Sequence, residues 1–171
     1  RYRSQNRQPF VATAPNQVWA YDFVFDGCAN GQKLKCLTIV DEFSKESLFI
    51  DVAGSIRSQQ LIEVLEKLMD KRGCPLVLRS DNGPEFVSLA LLQWAADKGL
   101  RNLLIEPGKP WQNGTNESFN GKFRDECLAM NWFYSRDHAK VIIETWRQHY
   151  NAVRPHSSLD YKTPLEFMSE W

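Results

Sequence analysis

Two periodicities alternate along the chain. Val18–Phe25, Lys33–Val40 and Glu46–Val52 are short runs rich in β-branched and aromatic residues, parted by turn residues at Gly27–Gly31 and Asp41–Lys45. Such runs predict three consecutive strands in an antiparallel meander. The period then lengthens. Leu61, Ile62, Val64, Leu65, Leu68 and Met69 form one wide apolar face, predicting a helix that Ser58 caps and that Gly73 and Pro75 stop after Arg72. Leu76–Ser80 predicts a short buried strand, Phe86–Lys98 an amphipathic helix ended by Gly99, and Arg101–Ile105 a fifth strand. Asp137–Asn151, carrying Val141, Ile142, Trp146 and Tyr150, predicts a last helix, which Arg154, Pro155 and His156 leave as a turn. The fold class that follows is α/β: a mixed five-stranded sheet, three antiparallel strands then alternating helix and strand, with helices on both faces.

The stretch Pro107–Arg124 stands apart. It opens as a loop with two Pro and two Gly, and Trp111 in it is placed to stack on a base or to pack on the core. From Glu117 it closes as a helix in which Phe119, Phe123, Cys127 and Met130 make a buried stripe. Glu117, Asn120, Gly121 and Arg124 then share the other side, within about one quadrant at 100° per residue. An acid, an amide and a base facing outward together suit a charged substrate; a solvated surface face is the plainer reading. Upstream, Asp81 ends the strand-like run Leu76–Ser80, and Asp22 ends another after Val18–Tyr21. Thirty-five residues separate Asp81 from Glu117, a spacing that carries little weight alone. Two acids at strand ends and a third at a helix start are able to converge as hard oxygen ligands for a metal. Asp26 lies near enough to Asp22 to be a rival ligand, while Asp41 and Asp51 read as turn and edge acids.

Composition narrows the function classes. At 171 residues, 43% hydrophobic and 25% charged, the chain fits one ordinary globular domain. No apolar run is long enough to span a membrane, and no signal-peptide pattern opens the chain. It begins with Arg rather than Met, so a fragment of a longer protein is expected. Cys28, Cys36, Cys74 and Cys127 make neither a C-x-x-C pair nor a Cys/His ligand spacing, and buried, reduced thiols are expected. Residues 1–17, with Arg1, Arg3 and Arg7, read as an extended basic arm ahead of a core at 18–171: a disordered leader, or a strap along DNA or a neighbouring subunit. The formal net charge is zero, which counts against tight nucleic-acid binding by these residues alone.

Four runs together carry a resemblance. Trp19–Asp22, Ser80–Phe86, Asn113–Glu126 and Tyr150–Leu159 resemble, in order, the integrase-type catalytic core of bacterial insertion-sequence transposases, a core that retroviral integrases share. The resemblance covers essentially the whole chain. It implies a ribonuclease H-like fold and a catalytic, metal-binding triad, which falls on Asp22, Asp81 and Glu117. It implies Mg²⁺, with Mn²⁺ able to substitute, at two ions per site, and DNA as partner, both element ends and target. It also implies at least a homodimer, no membrane association and the bacterial cytoplasm. DNA contacts are expected from Asn82, Asn113, Gly114, Asn120, Lys122 and Arg124. The retroviral pattern has Lys four residues after the Glu; here Gly121 stands there and Lys122 follows, so either Lys122 or Arg124 is the phosphate contact. Selection of element ends is expected to fall to a segment outside these residues.

The implied chemistry suits the residue types. Cleavage of a phosphodiester and transfer of its strand are in-line displacements at phosphorus, where two metal ions stabilise attacking and leaving oxygens. His138, His149 and His156 have no evident ligand partner and read as packing or capping residues. Asn82 and Gly83 read equally as a turn that admits DNA and as turn chemistry alone. Three readings stay open on sequence: a transposase core, a nuclease of the same fold acting on RNA–DNA hybrids, and a non-catalytic DNA-binding or assembly module. A fourth active-site acid would favour the nuclease, and the last helix offers only Asp137 and Glu144.

Overall fold

The structure is a computed structural model and describes residues 10–81, 83–104 and 113–171. Strands β1 (Val18–Gly27), β2 (Lys33–Asp41), β3 (Ser47–Ala53), β4 (Val77–Ser80) and β5 (Arg101–Leu104) form one mixed sheet in the order β3-β2-β1-β4-β5. The first three strands are antiparallel, with Trp19 opposite Asp41 and Thr38 opposite Ile50. β4 runs parallel to β1 with Val18 beside Val77, and β5 runs parallel to β4.

Alternation along β1 sorts the core into two layers. Trp19 and Tyr21 face one way and join Leu37, Ile39, Leu61, Leu65 and Leu91, beneath helices α1 (Ser58–Arg72) and α2 (Leu89–Asp97). Val24 faces the other way and joins Cys36, Val40, Phe119, Phe123, Ile143 and Tyr150, beneath α3 (Gly114–Phe123) and α4 (Arg136–Ala152). The strands are therefore apolar on both sides, as strands covered on both faces must be.

Helix α1 spans Ser58–Arg72, but its N-cap position is Arg57, whose N–H donates to Gln60 Oε1 at 2.9 Å. Ser58 is already helical and its hydroxyl bonds Ser88 Oγ instead, at 2.7 Å. The expected start of α2 at Phe86 moves to Ser88, whose Oγ accepts from Leu91 N–H. Phe86 plugs the core in a turn, stacked on Phe23 at 4.9 Å and edge-on to Tyr21 at 4.8 Å. Its apolarity signalled burial without helicity.

The stripe expected through Met130 also breaks. After Phe123 one π-helical turn, Arg124–Leu128, inserts a residue into the 3.6-residue phase. Cys127 and Leu128 are buried, while Met130 is 74% exposed. On α4 the buried positions are Ala139, Ile143, Tyr150 and Asn151, and Val141, expected inside, is exposed. The helix over Asp137–Asn151 is not the last: beyond the non-helical Arg154–His156 comes α5 (Pro164–Ser169), with Thr163 Oγ1 capping Glu166 N–H and Pro at the first helical position. Cys74 is exposed rather than buried, and all four thiols are free.

From Phe10 onward the presumed arm is bonded to the core. Asn16 N–H donates to Asp41 Oδ1 at 3.0 Å, Asn16 Oδ1 accepts from Trp19 Nε1 at 2.8 Å, and Arg79 donates to the Phe10 carbonyl. Asp41, 3% exposed, also accepts from Ser44 N–H and Oγ, so it is a structural acid. Arg1, Arg3 and Arg7 lie outside the described residues.

Candidate active site

Register brings Asp22 and Asp81 together. β1 and β4 are parallel neighbours through Ala20 and Arg79; continued by two residues, that register sets Asp22 level with Asp81, just past the end of β4. Neighbouring strands lie about 4.8 Å apart, so the two carboxylates meet. The consequence is electrostatic. Burial, followed by the charge of Asp81 and a hydrogen bond shared with it, pushes the Asp22 carboxyl up to about 6. Two acids that repel at neutral pH need a proton or a cation between them.

Each acid is held by a neighbour. Asp22 Oδ1 accepts from Phe23 N–H at 2.8 Å and Oδ2 from Asn120 Nδ2 at 3.1 Å. Asn120 in turn accepts from Thr38 Oγ1 at 3.1 Å, and Thr38 lies directly opposite Asp22 across the β1–β2 ladder. Asp81 Oδ1 accepts from Gly83 N–H at 2.7 Å. A Cβ at Gly83 would stand 3.0 Å from that same oxygen, so a side chain there would press on the Asp81 carboxylate. β4 is anchored just before the acid by buried Arg79, whose Nη1 meets both oxygens of half-buried Glu42 at 2.7 and 2.8 Å.

The remaining expected residues divide. Glu117 is exposed in the first turn of α3, one turn before Asn120. Among the described residues no three His, Cys, Asp or Glu side chains form one metal-holding group, so Glu117 is not gathered with the Asp pair. Asp26 lies four residues beyond Asp22, about 13 Å along the strand, and is not a rival ligand. Asn113 is 7% exposed and Gly114 is exposed at the start of α3. Arg124 is exposed one turn beyond Asn120, whereas Lys122 is half-buried on the far side of the helix. Asn82 and Trp111 lie outside the described residues. Glu144 is paired with Arg147 at 2.7 Å, and neither it nor Asp137 is among the groups acting on Asp22.

Sequence reasoning missed Thr38 and the Glu42–Arg79 pair, because both depend on strand register. It also left Arg154 and His156 without a role. Arg154 Nε meets both oxygens of Glu126 at 2.8 and 2.9 Å, tying the end of α4 to the π-helical turn. His156 packs edge-on against Tyr150, ring centres 4.8 Å apart.

Two family models, each described as integrase core domain, match residues 12–110 and 98–164. The chain belongs to the integrase core domain family. It is 50% identical over 166 residues to an insertion element IS407 protein of Burkholderia multivorans, covering 97% of this chain and 60% of that protein. An insertion element IS476 protein of Xanthomonas euvesicatoria is 46% identical, over 96% of this chain and 48% of its own length. The transposase for insertion sequence element IS629 of Shigella sonnei is 29% identical, over 94% of this chain and 54% of its own. The chain thus spans about half of these relatives. In fold it is similar to the HTLV-2 integrase catalytic core domain in complex with magnesium (TM-score 0.69, 18% identity, 92% of this chain and 99% of that one). The BIV integrase catalytic core domain is equally similar (TM-score 0.69, 20% identity, 91% and 95% covered). The integrase core, with its ribonuclease H-like mixed sheet, is therefore this chain's fold.

Proposed function

We propose that this chain is the catalytic core of a DNA transposase, cleaving a phosphodiester at an element end and joining the freed 3′-hydroxyl to target DNA. The observation that carries the reading is the Asp22–Asp81 pair, Asp22 in the middle of β1 rather than at its expected end and Asp81 just past the end of the parallel strand β4, beside a helix bearing Glu117. Its donor set fits a hard divalent cation: two neighbouring carboxylates, one of them raised to about 6 by burial and then by the charge of the other. Asp22 and Asp81 would hold Mg²⁺ or Mn²⁺, with Glu117 completing a site for two ions. When bound, such ions neutralise charge on the attacking and leaving oxygens and lower the pKa of a hydroxyl nucleophile.

The chain's own residues do the positioning. Asn120 and Phe23 N–H fix the two oxygens of Asp22, leaving their remaining lone pairs for a ligand. Gly83 N–H fixes Asp81 in the same way. Arg124, on the Glu117 and Asn120 side of the helix, meets a backbone phosphate and holds the strand across the acids. Two DNA ends must be held together during transposition, so two or more copies act jointly. The test is strand transfer from a pre-cleaved terminal-repeat duplex in Mg²⁺ or Mn²⁺, using the longer protein. Asp22→Asn, Asp81→Asn and Glu117→Gln should each abolish joining while the fold holds; near-normal joining by any one removes that residue from the site.

A further inference from the structure

A second concave site lies on the reverse side of α3. A cleft of about 340 Å³ is lined by Lys45, Thr115, Ser118, Lys122, His156 and Ser158. At 100° per residue Thr115, Ser118 and Lys122 fall within about 60° of one another, roughly opposite Glu117 and Asn120. One helix therefore separates the acidic pair from this cleft.

The cleft has the character of an anion site. Burial lowers the amines of Lys45 and Lys122 below the ordinary lysine value, and neither makes an ion pair among the described residues. Lys45 is held at φ 63°, a backbone region that side-chain-bearing residues avoid, and its Nζ reaches Thr115 Oγ1 at 3.3 Å. His156 is 3% exposed, and its buried Nε2 has no hydrogen-bond partner among the described residues. Burial, with the charges of Lys122, Arg154 and Lys45, depresses its imidazole to about 4. Glu126 is the one acid acting on that ring, and Arg154 already occupies both its oxygens. Gly114 brings the start of α3 to the same cleft, and Asn113 makes no side-chain cap there. Open N–H groups at a helix start favour negative charge.

We propose that this cleft binds a phosphate-type oxyanion, at a site distinct from the Asp22–Asp81 pair. Lys45 and Lys122 supply charge, the hydroxyls of Thr115, Ser118 and Ser158 donate to the remaining oxygens, and His156 Nε2 closes the back. The occupant is a phosphate of the DNA backbone or a free phosphate, which present the same oxygens. Either one fastens α3 to the β2–β3 turn and so steadies the helix that holds Asn120 against Asp22.

The experiment is an NMR titration of the His156 imidazole in this chain with inorganic phosphate, against chloride at equal ionic strength. A saturable shift specific to phosphate is expected. Lys122→Gln or Lys45→Gln should weaken it about tenfold or more, as loss of a charge-assisted hydrogen bond does. Ser118→Asp, at an exposed position that tolerates the change, should abolish it, and Asp22→Asn should leave it intact. A short DNA duplex that gives the same His156 shift, with the same sensitivity to Lys122→Gln, identifies the backbone as the source. A duplex that leaves the phosphate response untouched identifies free phosphate. No shift beyond chloride, an undiminished response in folded Lys122→Gln and Ser118→Asp, or loss of the response in Asp22→Asn would each overturn the proposal.

Discussion

Asn120 Nδ2 donates to Asp22 Oδ2 at 3.1 Å, joining the middle of α3 to the middle strand of the sheet. The amide spans from a carboxylate to Thr38 Oγ1, so its orientation is fixed from both ends. Removing it should disturb metal binding more than folding. Asn120→Ala is expected to weaken Mn²⁺ binding about 10–100-fold, as loss of a ligand-orienting neighbour does. The cost in stability should stay near 1 kcal/mol, the scale of a single hydrogen bond. Calorimetric titration beside urea unfolding separates the two; equal Mn²⁺ affinity would mean the amide merely packs.

The raised Asp22 carboxyl makes stability depend on pH in a defined direction. The folded state binds this proton up to about pH 6, whereas the ordinary value is 3.8. Its contribution is therefore most favourable below about 4, declines as pH rises towards 6, and stays low above. Allowing for partial solvent screening, the change is on the order of 2 kcal/mol. Urea midpoints in a chelator between pH 4 and 7 should fall for the wild type and fall less for Asp22→Asn, which should be the more stable protein at pH 7. Parallel curves would place the repulsion elsewhere.

The largely buried Glu42–Arg79 pair should be structural. Its side chains are each 10% exposed, and Glu42→Ala leaves an uncompensated guanidinium behind β4. A loss of about 3 kcal/mol or more is expected in equilibrium unfolding. A loss under about 1 kcal/mol would show that solvent or the Phe10 carbonyl satisfies Arg79 alone.

Much of this fold is legible in the chain because its strands and helices carry different apolar periods. The two layers of β1 follow from alternation of Trp19 and Tyr21 with Val24, and the apolar face of α1 was visible residue by residue. What escaped depends on register or phase. Nothing in spacing says that Asp22 stands level with Asp81; the parallel pairing of β1 with β4 says so. The π-helical turn after Phe123 adds one residue to a period that sequence reading holds constant, which is why Met130 lies outside. α5 is signalled by Thr163, Pro164 and Glu166, a capping pattern too short to carry an apolar period of its own. The oxyanion cleft draws on three separated segments, at Lys45, α3 and His156, that only tertiary folding assembles.

Arg124 should act on DNA rather than on folding, since it is exposed one turn beyond Asn120. Arg124→Ala is expected to weaken binding to every duplex alike and to reduce the salt slope by about one. With no net charge, the wild-type chain itself should bind only in the non-specific range of about 10⁻⁴–10⁻⁶ M at physiological salt. Fluorescence anisotropy with a terminal-repeat and a scrambled duplex, at two salt concentrations, checks both. An unchanged slope with lowered stability would make Arg124 a structural residue.

Mn²⁺ binding followed by electron paramagnetic resonance tests most directly whether Asp22 and Asp81 hold a divalent ion. The wild-type chain at pH 7 should take up Mn²⁺ and raise its thermal midpoint, while Asp22→Asn and Asp81→Asn should each bind at least about tenfold more weakly in a folded protein. Glu117→Gln should weaken binding as well. Mn²⁺ affinity equal to wild type in both Asp22→Asn and Asp81→Asn would contradict the assignment of this pair as the metal centre.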